Sequence, residues 1–276
     1  MTPSDETRYR NVGRSLSLLG RYGQQYAKFE QILAIDPAHP NALLCRGYAS
    51  EKLGRYEEAI STFERVISLR PRLSLAWQGR GIALGRSGHY EEALTSFNQA
   101  LKFESEDYRS WQNHGKTLIN LYRYRDAIAS FDRVIELKPE NYKAWYNRAI
   151  ALASLNDNQT ALTSLNIALK IKPTSDYLWN YRGQVLGKLH QVSEAIVSFE
   201  NAIRINARSA SAWYGKACCY AIEQNVESAI GCLEQAIALS PSVYRNLAST
   251  DIIFSFLYTD ERFQALIHSP AVTSAS

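Results

Sequence analysis

The chain has 276 residues, a net charge of +4 and 21% charged residues, with acids and bases mixed along its length. That balance argues against a nucleic-acid binder, which carries a clustered basic stripe. The absence of any run of about 18 apolar residues argues against a membrane span.

Read in chain order, one period organises everything. Trp77, Trp111, Trp145, Trp179 and Trp213 stand 34 residues apart. A fixed period of this length means one structural unit repeated and stacked. Four residues after each Trp is a small residue: Gly81, Gly115, Ala149, Gly183 and Ala217. Sixteen after is alanine, from Ala93 to Ala229; twenty after come Phe97, Phe131, Leu165, Phe199 and Leu233. Pro139, Pro173 and Pro241 follow at twenty-eight, with Ser105 and Ala207 in the other two copies. Shifting the pattern back by one period recovers a copy with Leu43, Gly47, Tyr56, Ala59, Phe63 and Pro71. An earlier one has Tyr9, Gly13, Tyr22, Phe29 and Pro37, with Gln25 where alanine is expected.

Seven units are therefore expected at 6–39, 40–73, 74–107, 108–141, 142–175, 176–209 and 210–243, after an N-terminal extension over 1–5. Each is predicted to be a helix pair. In 74–107, Ala76, Trp77, Arg80, Gly81 and Leu84 keep helical spacing. Ser87-Gly88 then breaks the helix, and Glu91 to Phe103 resumes it. So short a turn makes the two helices antiparallel neighbours.

This pattern resembles the tetratricopeptide repeat, and the resemblance covers nearly the whole chain. Tyr56-Glu57-Glu58-Ala59-Ile60 and Tyr90-Glu91-Glu92-Ala93-Leu94 are similar to segments of bacterial, including cyanobacterial, members. The resemblance implies an all-α fold, an α-solenoid in which antiparallel helix pairs form a right-handed superhelix. Its concave groove would be lined by the first helix of each pair.

A stacked array needs capped ends. Residues 244–268 carry Leu247, Ile252, Ile253, Phe254, Phe256, Leu257, Phe263, Leu266 and Ile267, too apolar for a tail. They are expected to form a degenerate eighth helix pair that caps the last unit, with a break and helix cap at Thr259-Asp260. The alternative is an apolar face that docks on another chain. Residues 269–276, small and polar, are expected to fray.

Chemistry-bearing motifs are sparse. Gly115-Lys116-Thr117 is similar to the end of a phosphate loop, but Ser110 stands where glycine is required and the repeat places the segment inside a helix. His39, His89, His114, His190 and His268 form no two-histidine zinc pair. Cys45, Cys218, Cys219 and Cys232 fit no metal spacing or disulfide framework, which suits reduced thiols in the cytoplasm. The segment Met1 to Glu6 lacks the basic stretch and apolar core of a leader, which points the same way. No catalytic residue, metal or cofactor is assigned, and the chain is expected not to be an enzyme.

Position 7 of the units is basic where the family is usually apolar: Arg46, Arg80, His114, Arg148, Arg182 and Lys216. A structural ladder is expected, each long side chain lying along its neighbour and meeting backbone carbonyls at the adjoining helix end.

Under the family geometry, positions 2, 5, 9 and 12 face the groove and are free of packing duties. These hold Tyr48; Gln78 and Ile82; Arg109, Gln112 and Lys116; Lys143, Tyr146 and Ile150; Tyr177, Asn180 and Gln184; and Tyr214. Arg109, Lys116 and Lys143 would form a basic cluster, and Tyr146, Tyr177 and Tyr214 an aromatic track. Tyr and Arg are the types most used at binding hot spots.

The expected partner is therefore a protein or peptide with acidic and apolar side chains, held by a non-enzymatic scaffold or adaptor. The carboxylate clamp of chaperone-tail-binding members is not carried over, because only Asn113 and Lys143 of its five residues are matched. Two further roles stand beside it: an assembly factor for a multi-subunit complex, for example a photosynthetic one, or a homo-oligomeric module. RNA binding by a related helical-hairpin family is disfavoured by the 34-residue period and the modest charge.

Overall fold

The computed structural model describes residues 22–268. The parts of the first unit before Tyr22, the 1–5 extension and the 269–276 tail lie outside the described residues. Among those described there is no strand, and no helix is long and apolar enough to cross a membrane.

The chain divides into two compact units, one up to Pro139 and one from Glu140. The first contains α1 (Tyr22–Ile35), α2 (Pro40–Lys52), α3 (Tyr56–Leu69), α4 (Ser74–Arg86), α5 (Tyr90–Phe103), α6 (Tyr108–Asn120) and α7 (Tyr124–Leu137). The second contains α8 (Tyr142–Ser154), α9 (Asn158–Ile171), α10 (Asp176–Lys188), α11 (Val192–Ile205), α12 (Ala210–Ile222) and α13 (Val226–Leu239). It ends with α14 (Pro241–Thr250), a 3-10 turn (Ile252–Leu257) and α15 (Glu261–His268). Within each unit consecutive helices pack on one another, so every pair is also stacked on its neighbour. Helix α13 ends two residues before Pro241, which opens α14, where its missing N–H costs nothing.

The turn inside each pair has one fixed backbone requirement. Gly54 and Gly88 have φ of 76° and 88°, and the same slot is filled by Tyr122, Asn156, His190 and Gln224 at 55° to 63°. Glycine takes this left-handed conformation without the steric cost that a side chain brings.

Close packing of each pair rests on small residues. Ala59, Ala93, Ala127, Ala161, Ala195 and Ala229 are fully buried. Phe63, Phe97, Phe131 and Phe199 are buried as well, and each ring lies over a glycine of its own first helix. A β-carbon built on Gly47, Gly81, Gly115 or Gly183 would come within 2.7 to 2.8 Å of that ring. Where the buried residue is instead Leu165 or Leu233, the facing residue is Ala149 or Ala217.

The tryptophans are less buried than their prominence suggests; all five are half-buried. Trp77, Trp111, Trp179 and Trp213 each donate their indole N–H to the carbonyl six residues upstream, at 2.8 to 3.0 Å. The acceptors belong to Pro71, Ser105, Pro173 and Ala207, in the turn between pairs. The Trp therefore fastens that turn to the following helix, besides packing.

The C-terminal segment covers α12 and α13. Phe254, Leu257 and Phe263 are fully buried in one cluster with Ala217, Ala229 and Leu233. Asp260 accepts from the backbone N–H of Arg262 at 2.9 Å at the start of α15, and Arg262 pairs with Glu227 on α13 at 2.6 Å. These residues spend their apolar surface on their own chain, as a cap.

Candidate functional site

The basic ladder commits six side chains to contacts within the chain. In the first unit Arg46 pairs with Glu30 and Glu58, each at 2.8 Å. Arg80 meets Glu64 at 2.9 Å and donates to Ser96 Oγ at 2.8 Å. His114 lies 2.9 Å from Ser130 Oγ and 3.1 Å from Asn98 Oδ1. In the second unit Arg148 donates to Ser164, Arg182 to Ser198 and Asn166, and Lys216 pairs with Glu200. The serines pass the chain of bonds on to backbone: Ser96, Ser130, Ser164 and Ser198 each donate to the carbonyl four residues earlier. The ladder is structural, but the expected carbonyl acceptors are corrected to side chains. Where a backbone carbonyl takes part, a serine hydroxyl stands between it and the cation.

The expectation that positions 2, 5, 9 and 12 are free of packing duties is also corrected. Gln78 is only 7% exposed; its amide donates to Asp107 and to Ser110 Oγ, the latter at 2.8 Å. Asp107 itself caps α6, so Gln78 ties two pairs together. Tyr48 donates to the Leu75 carbonyl at 2.8 Å and packs edge-on against Phe63. Tyr214 donates to Asp251 at 2.9 Å and lies against Tyr244 and Phe254, under the cap. Ile82 is half-buried against the cluster of Leu84 and Phe97. Asn180 reaches Ser211 at 3.2 Å. Long side chains at these positions reach the next pair because the pairs stack so closely.

The remaining candidates lie at or near the surface. In the first unit Lys116 is exposed, Gln112 is half-buried, and the half-buried Arg109 stacks its guanidinium on the Tyr108 ring, 5.5 Å from the centroid. In the second unit Lys143 and Gln184 are exposed and Ile150 is half-buried. Tyr146 meets Tyr177 edge-on at 5.1 Å and Tyr181 at 5.5 Å. Tyr214 does not join this pair; its aromatic partners belong to the cap. Burial, then hydrogen bonding with Tyr142, pushes the Tyr177 hydroxyl up to about 12, so it is a neutral donor at physiological pH.

Each compact unit has a cavity against its first helices. In the first, about 370 Å³ is lined by Lys52, Arg86, Asn113, Lys116, Thr117 and Asn120 over Gly81, Ile82, Gly85 and Phe97. In the second, about 660 Å³ is walled by Tyr214, Tyr244, Ile222, Leu247 and Ile253 over Gly183, Gly187 and Gly215, with Gln184 and Lys188 among the lining residues. Sequence reasoning passes over Lys52, Arg86 and Asn120 as site residues. Lys and Arg at helix C-termini read as ordinary partners of the helix dipole.

The cysteines at the second cavity are held as neutral thiols. Burial, with Asp251 second, pushes the Cys218 thiol up to about 12, and burial raises Cys219 to about 11. Both are thiols at neutral pH, and the thiol is a poor nucleophile. Gly115-Lys116-Thr117 lies within α6, with Thr117 Oγ1 bonded back to the Asn113 carbonyl at 2.9 Å. Among the described residues no group of three or more His, Cys, Asp or Glu is placed to hold a metal ion.

Two family profiles, both described as tetratricopeptide repeat, match the chain, one over 40–73 and 74–107 and the other over 113–176 and 182–243. The chain belongs to the tetratricopeptide repeat family. Among solved structures it is similar to YrrB, described as a TPR protein with an unusual peptide-binding site. That match has 22% identity over 66% of this chain and 93% of the other, with a TM-score of 0.56. The C-terminal part of a TPR repeat-containing protein from Cytophaga hutchinsonii matches at 17% identity over 86% and 96%, with a TM-score of 0.66. A chain of the APC/C hetero-tetramer Cut9-Hcn1 matches at 16% over 95% and 48%, with a TM-score of 0.67. At these identities the likeness is one of fold. No curated protein matches the chain in sequence.

Proposed function

We propose that the chain is a non-enzymatic scaffold that holds a protein or peptide partner against the first helices of its pairs. The observation that carries this reading is the division of labour on those helices. Their Trp, Gly and position-7 residues are consumed by packing and the ladder. Of the groove candidates on them, Lys116, Lys143, Tyr177 and Gln184 are exposed, and Lys116 and Gln184 each line an open cavity of their own unit. Cations, amides and tyrosine suit a partner segment with acidic and apolar side chains.

The test is affinity capture from the native cell with mass spectrometry, using the wild type and a double charge reversal, Lys116→Glu with Lys143→Glu. Both side chains are exposed, so folding should be retained. Loss of the captured partner at physiological salt is expected. A partner held equally by the reversed variant would contradict the groove assignment.

A further inference from the structure

The cap buries one side of its apolar residues and leaves another bare. Val243 and Leu247 of α14 are exposed and stand four residues apart, on one face of the helix. Ile222, at the end of α12, is exposed as well. Ile222, Tyr244, Leu247 and Ile253 line the second-unit cavity, so Val243 stands one turn from its wall. Ile252, the neighbour of Ile253, is 83% exposed, more than any other large apolar residue described in this unit. An apolar patch of this kind marks an interaction surface.

Two properties of the patch point to what covers it. The first is charge. Between Ser240 and Thr259 the only charged residues are Arg245 and Asp251. Both hold bonds within their own chain. Arg245 Nε donates to the Leu266 carbonyl at 3.3 Å. Asp251 accepts from the Tyr214 hydroxyl at 2.9 Å and from the Ile253 N–H at 3.1 Å. In a two-fold contact the same patch stands on both sides, so a charged patch repels its copy and a neutral one does not. Lys188, at the cavity edge, is exposed on a flexible stem that keeps its ammonium in water. The second property is shape. A patch that meets itself must carry both the knob and the hole. Here the protruding Ile252 stands beside a hole of about 660 Å³, ample for one branched side chain.

We propose that this face pairs with the same face of a second copy of the chain about a two-fold axis. Ile252 of each copy enters the cavity of the other, against Tyr244 and Leu247. The pairing goes beyond the scaffold reading and draws on neither Lys116 nor Lys143.

The experiment is sedimentation equilibrium of the full chain from about 1 to about 100 μM. A monomer–dimer equilibrium that stops at two is expected. Ile252→Glu should weaken it by about a hundredfold or more, because the two-fold axis buries the new charge twice. Val243→Glu should act in the same direction, and it carries the reading if Ile252→Glu lowers the melting temperature. Val197→Glu, at an exposed apolar residue of α11, should dimerise as wild type. A chain that stays monomeric at every concentration overturns the proposal. So does a dimer that survives both cap variants, a dimer equally lost with Val197→Glu, or assembly that continues past two. A monomer whose Ile252→Glu variant loses a partner captured from the native cell gives the face to another protein, and overturns self-pairing as well. The charge reversal of Lys116 and Lys143 judges the scaffold reading separately.

Discussion

Phe97 occupies the space that a β-carbon on Gly81 would need: built there, that carbon would lie 2.8 Å from Phe97 Cε1. The ring is 1% exposed, so it has nowhere to move. Gly81→Ala should therefore destabilise the protein, although alanine is the better helix former by about 1 kcal/mol. Overpacking of this kind costs roughly 1–3 kcal/mol, so a net loss is expected. Phe97→Leu in the same chain should recover stability, because the Ala149–Leu165 and Ala217–Leu233 pairs already use that solution. A double-mutant cycle by denaturant titration reads the coupling directly. Additive effects would contradict the contact.

The half-buried tryptophans separate packing from hydrogen bonding. Trp179→Phe keeps most of the ring and loses the bond to the Pro173 carbonyl, at a cost of about 1 kcal/mol. Trp179→Ala should cost more, about 2–3 kcal/mol, below the usual range for a fully buried Trp. Thermal unfolding of both variants checks the order.

Arg80 belongs to the ladder and not to the proposed binding surface. Arg80→Ala removes the bonds to Glu64 and Ser96 and should lower the melting temperature while leaving peptide affinity unchanged. Lost affinity at unchanged stability would return the ladder to the binding surface.

His114 gives the first unit a pH dependence. Burial, with the Arg123 charge second, holds its imidazole down to about 4. The unfolded chain takes up that proton near pH 6.5, and the folded chain only near 4. Stability is therefore complete above about 6.5 and falls as pH drops toward 4, by about 3 kcal/mol at most. His114→Gln should flatten this part of the profile, measured by denaturant unfolding from about pH 7.5 to about pH 4.

Tyr122 sits in the left-handed turn slot at φ 58° with its side chain 78% exposed. Gly54 and Gly88 fill the slot in the two preceding pairs. Tyr122→Gly should relieve about 1 kcal/mol of backbone strain and raise the melting temperature.

Most of the fold is legible in the sequence because each repeated contact joins two fixed positions. The coupling of glycine to Phe63, Phe97, Phe131 and Phe199, and of alanine to Leu165 and Leu233, is visible in the spacing alone. So is the ladder, although its acceptors, Glu64, Ser96, Asn98 and Asn166 among them, emerge only from the stacking of pairs. The candidate site is less legible. Spacing places Gln78 and Tyr48 on the right helices but gives no sign that they bind the next pair. Glu51 looks like any helical surface glutamate, yet it is buried, with Arg86 Nε, 35 residues away, 2.7 Å from its Oε1. Recognition chemistry arises from side chains of different repeats, and the period says nothing about which of them converge.

Whether partners are held by the first helices can be read by hydrogen exchange of the chain with and without a partner captured from the native cell. Added protection is expected in α2, α4 and α6, or in α8, α10 and α12, with the second helices unchanged. Protection confined to α3, α5 and α7, or to α9, α11 and α13, would contradict the assignment of binding to the first helices.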